Sequence, residues 1–149
     1  MSFWSLNTSN KLNEKSILKN NVGYIGLANK ENYQERINRK GNTTFKQFET
    51  FLNKAKKGDT IYLYKNRVGF IAYGIYNGKI THYDSDANHL KAPGWSKNSY
   101  QGHIFVDKWI LLDKPIKNDY PRRRTLYKLD DDIRWTDQVI FNKLSNYYI

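Results

Sequence analysis

Apolar positions fall in short runs divided by turn residues, and the spacing within each run predicts its element. Phe3-Trp4-Ser5-Leu6-Asn7 alternates weakly and predicts an opening strand. Residues 13–20 predict a helix of one to two turns, with Leu12, Ile17 and Leu18 as its apolar face. Residues 22–27 are apolar and interrupted by Gly23 and Gly26, which suits a strand or a tight turn where backbones approach closely. The strongest helix signal covers residues 43–56, where Phe45, Phe48, Phe51, Leu52 and Ala55 recur at three- and four-residue spacings behind Thr44 as N-cap.

The second half changes period. After the Lys57-Gly58-Asp59 turn, residues 60–64 are β-branched and aromatic, Lys65-Asn66-Arg67 turns the chain, and residues 68–76 return as a second strand. Asn77-Gly78 is a hairpin dipeptide and predicts a reversal into a further strand over 79–83. A polar loop is expected over 84–101, a strong strand over 103–112 stopped at Lys114-Pro115, a basic loop from Pro121 and a helix near 136–146. Many strands with few helices make the expected architecture α+β, a small curved and mostly antiparallel sheet flanked by two or three helices.

Composition narrows the function. The chain has 149 residues and shows no linker, repeat or low-complexity segment, so residues 1–149 are read as one domain. There is no cysteine, which excludes disulfide scaffolds, cysteine zinc sites and thiol nucleophiles. Lys and Arg number 25 against 14 Asp and Glu, a net charge of +11, and aromatic residues make up 15%. That aromatic share is too high for a disordered basic tail, so a folded, basic, aromatic-rich domain is expected. The longest nearly uncharged apolar stretch, residues 68–76, is less than half of the ~20 residues a spanning helix needs. No membrane partner is expected, and with no basic region leading into an apolar run at the start of the chain, a cytoplasmic, intracellular location is expected.

In order and spacing these segments resemble the PUA-like superfamily, and within it the EVE domain and the related YTH domains. Phe3-Trp4-Ser5-Leu6-Asn7 is similar to the aromatic-Trp-hydrophobic opening strand of EVE proteins. Tyr24 in Val22-Gly23-Tyr24-Ile25-Gly26 stands where family members more often carry Trp. Gly58-Asp59-Thr60-Ile61-Tyr62-Leu63-Tyr64 and Val68-Gly69-Phe70-Ile71-Ala72-Tyr73-Gly74 resemble two successive family strands. Residues 105–110 look like the strand closing the pocket region of YTH domains, and Arg134-Trp135 with Phe141 and Lys143 looks like the C-terminal EVE signature. Residues 29–42 are longer than in compact EVE proteins. The resemblance implies a PUA-like curved β-barrel that binds RNA or DNA, single-stranded or carrying a modified base such as a methylated one, and takes that base into an aromatic cage.

A flipped base loses stacking worth a few kcal/mol, which ring faces and edge hydrogen bonds must offset. Candidate cage rings are Trp4, Tyr24, Tyr83 and Trp95, the last in the polar segment Pro93-Gly94-Trp95-Ser96. Asn7 and Asp107 are candidate edge readers, while Trp109 and Trp135 sit in apolar patterns and are assigned to the core. Phosphate contacts are expected from Lys30, Arg36, Arg39 and Lys40 and from Arg122, Arg123 and Arg124, whose guanidinium forks suit phosphate oxygens. Lys54, Lys56 and Lys57 extend the first group.

His82, Asp84, Asp86 and His89 have metal-ligand chemistry, but loops collect such residues and no metal or other cofactor is expected. No nucleophile and base stand at a recognisable spacing, so the expected protein is not an enzyme. The alternatives are an ASCH-type hydrolase or ribonuclease of the same superfamily and an adaptor with an aromatic groove for a protein partner.

Overall fold

The structure, a computed structural model, describes residues 2–8, 11–29, 33–38, 44–84, 99–116 and 125–129. Their elements run β1 (Phe3–Asn7), α1 (Lys11–Asn20), β2 (Val22–Asn29), α2 (Tyr33–Asn38), α3 (Thr44–Lys54), β3 (Thr60–Lys65), β4 (Gly69–Asp84), β5 (Ser99–Val106), β6 (Ile110–Ile116) and β7 (Leu126–Lys128). The fold is α+β, a mixed sheet in the order β2-β5-β4-β3-β1-β7 with β6 also on β4. β1 and β3 are parallel, with Phe3 opposite Thr60 and Asn7 opposite Tyr64, and the other described pairs are antiparallel.

β4 is the axis. Its first half pairs with β3 on one edge, while the 99–116 segment runs back along its other edge as β5 and then β6. Asn77-Gly78 therefore makes no hairpin: β4 continues for 16 residues through it. Tyr76 pairs with Val106 and Ile80 with Ile104, so residues 77–79 bulge opposite Phe105 alone. Gly78 takes the left-handed φ of 88° and Asn77 Oδ1 accepts from Lys79 N at 2.8 Å, so the turn chemistry is spent on a bulge that bends β4 from one sheet into the next.

The strand expected over 103–112 breaks at Asp107-Lys108-Trp109, where the Trp109 indole turns inward and donates to Val22 O at 3.2 Å. A Cβ on Gly74 would lie 3.0 Å from Trp109 Cε3 and 2.9 Å from Val106, so a glycine is needed there. Pro115 does not end β6. It falls in the irregular stretch between the Leu111 and Ile116 pairings, where its missing N–H costs no ladder bond. Helix α2 and strand β7 are not legible in the pattern, and the helix expected near 136–146 lies outside the described residues.

Asn21, at a φ of 53°, ends α1 in the left-handed conformation, and its carbonyl and side chain accept from Val106 N and Trp109 N. Helix α3 sits against the inner surface of the curved sheet. Phe51 meets Trp4 edge-on at 4.8 Å and Tyr76 at 5.1 Å, and Phe48 lies where a side chain on Gly102 would be. Across the core, Leu6 of β1 abuts the Cα of Gly23 in β2. A second buried cluster, with Tyr62, Tyr64, Phe70, Leu112 and Tyr127, occupies the other face of β3 and β4, which is why β3 is apolar or aromatic at nearly every position rather than alternating. Among the described residues no helix is long and apolar enough to cross a membrane.

One carboxylate joins these parts. Asp59 is buried, and its oxygens accept from Ser2 N at 3.1 Å, the Trp4 indole Nε1 at 3.2 Å and Lys56 N at 3.0 Å. Its carbonyl accepts from Tyr76 N at 2.8 Å. Asp59→Ala, which strands three donors, is expected to lower the unfolding free energy by about 3 kcal/mol, and Asp59→Asn by less. Urea unfolding followed by tryptophan fluorescence measures both; a loss under about 1 kcal/mol for the alanine variant would refute a structural role for this carboxylate.

Candidate nucleic-acid interface

Strands β2, β5 and β4 place side chains from three separated segments in rows. Tyr24, His103 and Thr81 are register partners, so they occupy one row on one face of the ladder. Gly26, Gln101 and Tyr83 form the next register row toward the 84–99 end. Residue alternation puts Ile104 and Gly102 on the opposite, inner face toward Phe48 and the core.

Polar groups are sealed into this outer face. His103 is 0% and Gln101 2% exposed, and His103 Nε2 and Gln101 Oε1 are 3.4 Å apart. The Tyr24 ring meets the His103 ring edge-on at 5.2 Å, and Phe105 continues the same row of β5, 6.4 Å from His103. Helix α1 covers Tyr24, whose hydroxyl is 2.6 Å from Ser16 Oγ; Asn20 Nδ2 donates to the same Oγ at 3.2 Å. Burial pushes the Tyr24 hydroxyl pKa above its ordinary value, partly offset by the hydrogen bonds of Ser16 and Asn20. Thr81 Oγ1 is closed off from solvent and has no hydrogen-bond partner. Aromatic rings, an imidazole, a carboxamide and a hydroxyl thus stand together in a dry setting.

The expected site residues scatter. Tyr24 lies in this strip, and Tyr83 holds the register position opposite Gln101. Trp4 does not: it lies in the core on β1, its indole bonded to Asp59 and its ring packed on Phe51, apart from the β2–β5–β4 rows. The indole needs a hydrogen-bond acceptor when buried, and Asp59 supplies one inside the core. Asn7 stands apart on β1, its Nδ2 donating to Asn66 Oδ1 at 3.1 Å and its N to Thr125 O. Asp107 is exposed in the β5–β6 turn, at the opposite end of β5 from Gln101, and its N donates to Ile75 O. Trp109 is in the core, as its apolar setting implied.

Trp95, Trp135, Lys30, Arg39, Lys40, Arg122, Arg123 and Arg124 lie outside the described residues, as do Asp86 and His89; Arg36 belongs to α2. Among the described residues no group of His, Asp and Glu could hold a metal ion. Sequence reading misses Gln101, His103 and Thr81. The available signal is the polar-x-polar spacing of Gln101 and His103 within a strand whose intervening and following positions are Gly102, Ile104 and Val106.

No protein-family model matches the chain, and no curated protein matches it by sequence. Solved structures do resemble it. An ASCH-domain protein from Zymomonas mobilis, in the form of a serine-to-alanine point mutant, superposes with a TM-score of 0.50 at 11% identity, over 93% of this chain and 94% of that one. The MmI1 YTH domain gives 0.45 at 14% identity, over 97% and 99%. The YTH domain of Zygosaccharomyces rouxii MRB1, in complex with N6-methyladenosine RNA, gives 0.47 at 11% identity, over 93% and 82%. The structural neighbours thus include ASCH and YTH domains, and at these identities the likeness is one of fold alone.

Two buried tyrosines set an alkaline limit on stability. Burial raises the Tyr76 hydroxyl pKa, and the neighbouring Asp59 carboxylate adds to it; Tyr24 is raised by burial. Well below pH 10 both hydroxyls are neutral in folded and unfolded chains, so their contribution is complete. As pH rises beyond 10 the unfolded chain loses these protons first, and stability falls through the folded-state pKa values. Urea midpoints from pH 8 upward should decline less steeply for Tyr24→Phe and Tyr76→Phe than for the wild type, and parallel declines in all three would remove both tyrosines as the cause.

Proposed function

We propose that this chain is a non-catalytic RNA-binding domain that takes one base, modified for example by methylation, against the Tyr24–His103–Thr81 strip. The observation that carries the reading is that strip: ring faces and hydrogen-bonding groups from three strands share one face, with an unbonded Thr81 hydroxyl among them. Base-on-aromatic stacking contributes roughly 1–3 kcal/mol and is tolerant of sequence. Gln101 and His103 supply donors and acceptors for a base edge, and an added methyl favours a dry pocket by about 0.8 kcal/mol. The net charge of +11 supports a polyanionic partner.

Trp95 belongs to this reading through chain connectivity. Asp84 pairs with Tyr100, so the segment that carries Trp95 leaves and re-enters the ladder beside the Gln101 row. In this reading Trp95 and Tyr83 are proposed cage rings, and the Lys30, Arg36, Arg39, Lys40 and Arg122–Arg124 groups are proposed phosphate contacts.

The test is titration of short single-stranded RNA, with and without N6-methyladenosine or 5-methylcytidine, followed by tryptophan quenching. Trp95→Ala is expected to lower affinity for the preferred modified RNA about tenfold or more and to affect unmodified RNA little. Equal loss on both would sink the cage. The likeness in fold to an ASCH-domain protein keeps a hydrolase or ribonuclease as the second reading. New product on incubating any of these RNAs with the protein would favour it over a reader.

A further inference from the structure

Four turns that are distant in sequence meet at the end of β5 opposite the Gln101 row. Gly58 N donates to Tyr76 O at 2.9 Å, which seats the α3–β3 turn against β4 just before the bulge. Asp107 N donates to Ile75 O at 2.9 Å, which places the β5–β6 turn beside it. The bulge itself touches the first turn: a Cβ on Gly78 would stand 3.5 Å from Lys57 Cβ. Asn21, ending α1, closes the group through Val106 N.

Each of three turns brings exposed lysine: Lys56 and Lys57 from the α3–β3 turn, Lys79 from the bulge and Lys108 from the β5–β6 turn. Lys79 Nζ sits 4.7 Å from the centroid of the Phe105 ring, in the row that continues to His103. None of the four has an ion pair among the described residues. Of the two carboxylates among the described residues of these turns, Asp59 is buried and committed to three N–H donors, and Asp107 is the exposed one. Like charges brought together without partners destabilise a fold unless an anion neutralises them, and ammonium groups on turns can each reach a separate phosphate.

We infer that Lys56, Lys57, Lys79 and Lys108 form a phosphate-binding surface for the RNA backbone, separate from the base site, at the far end of the same β5 row. The inference rests on the RNA-binding reading and extends it to the path of the strand. Gln101 on β5 and Asp107 in the turn just after it are six residues apart, about 20 Å, so an RNA anchored at both ends lies along the row past Phe105. A ligand shorter than this span touches only one end.

The experiment compares three proteins by fluorescence anisotropy with a labelled single-stranded RNA, from about 50 to 200 mM salt. They are the wild type, the variant with Lys56, Lys57, Lys79 and Lys108 all changed to Gln, and a charge-matched control with Lys46, Arg67, Lys114 and Lys128 changed to Gln. Four lost phosphate contacts should reduce the slope of log affinity against log salt by about 3, since each contact on a single strand contributes about 0.7. The control should keep a steeper slope than the quadruple variant, and both should unfold at the wild-type urea midpoint.

Equal slopes in the two variants would overturn the surface while leaving RNA binding in place. A quadruple variant with a shallower slope that still prefers one modified RNA supports the surface and separates it from the base site. A shallower slope with no modified-base preference in any protein supports the surface and removes the base reading instead. Absence of RNA binding by the wild type at low salt overturns both. Phosphatidylserine vesicles form the last arm: loss of vesicle binding in the quadruple variant, with RNA binding retained, would assign the lysines to lipid and overturn the inference.

Discussion

The fold depends on the burial of one carboxylate in a basic chain. Asp59 collects N–H donors from Ser2, Trp4 and Lys56, and so pins β1 to the start of β3 across a sequence separation of 55 residues or more. Parallel pairs are weaker per residue than antiparallel ones, and this one must be closed over the chain that carries α1, β2, α2 and α3. A charge out of water costs several kcal/mol unless it is hydrogen-bonded, and three donors meet that condition. With the Trp4 indole held, Phe51 has its edge-on partner and α3 its place; with α3 placed, Phe48 fills the space left by Gly102 on β5. The outer face of β5, with Gln101 and His103, is thus positioned by contacts on its inner face.

That separation of faces divides the labour of the sheet. Gly23, Gly74 and Gly102 all lack a side chain where a core group presses in: Leu6, Trp109 with Val106, and Phe48 in turn. Each glycine lets the inner face close tightly, so the curvature comes from packing density rather than from loop length. The outer face of β2, β5 and β4 is then free to carry polar and aromatic groups that a core would reject. Covering by α1, through Ser16 and Tyr24, keeps those groups dry without filling the face with aliphatic side chains.

Elements whose partners are local are legible in the sequence. The three- and four-residue spacings of Phe45, Phe48, Phe51, Leu52 and Ala55 locate α3 to within two residues at either end, and the β3–β4 hairpin is evident from its turn and its aromatic strands. Errors arise where two segments share one signal. Asn77-Gly78 carries hairpin chemistry, but β5 supplies a partner for both sides of it, so the same left-handed glycine makes a bulge. Trp4 and Tyr24 are both aromatic residues in short strands beside loops, and nothing in their local patterns separates them. Only the fold puts Asp59 under one and Ser16 over the other. Gln101 and His103 escape a sequence reading because a polar residue inside an apolar strand is usually half-exposed.

The two functional regions differ in range, and this constrains how they can cooperate. Ring stacking and edge hydrogen bonds act at contact, whereas the field of exposed lysines extends about 8 Å at physiological salt. The basic turns and the Gln101 row stand about 20 Å apart along β5, beyond that distance. Lys79, over Phe105 and two residues from Thr81, is the lysine nearest the strip. Between the other turns and the Gln101 row, coupling passes through the bound polymer: phosphates held at one end raise the local concentration of bases at the other. Backbone contacts of this kind position a strand without reading it, and contacts at the strip read it without drawing it in. Selectivity for a base and affinity for the strand are then set by different residues of one β-strand and its neighbours, and each can change without the other.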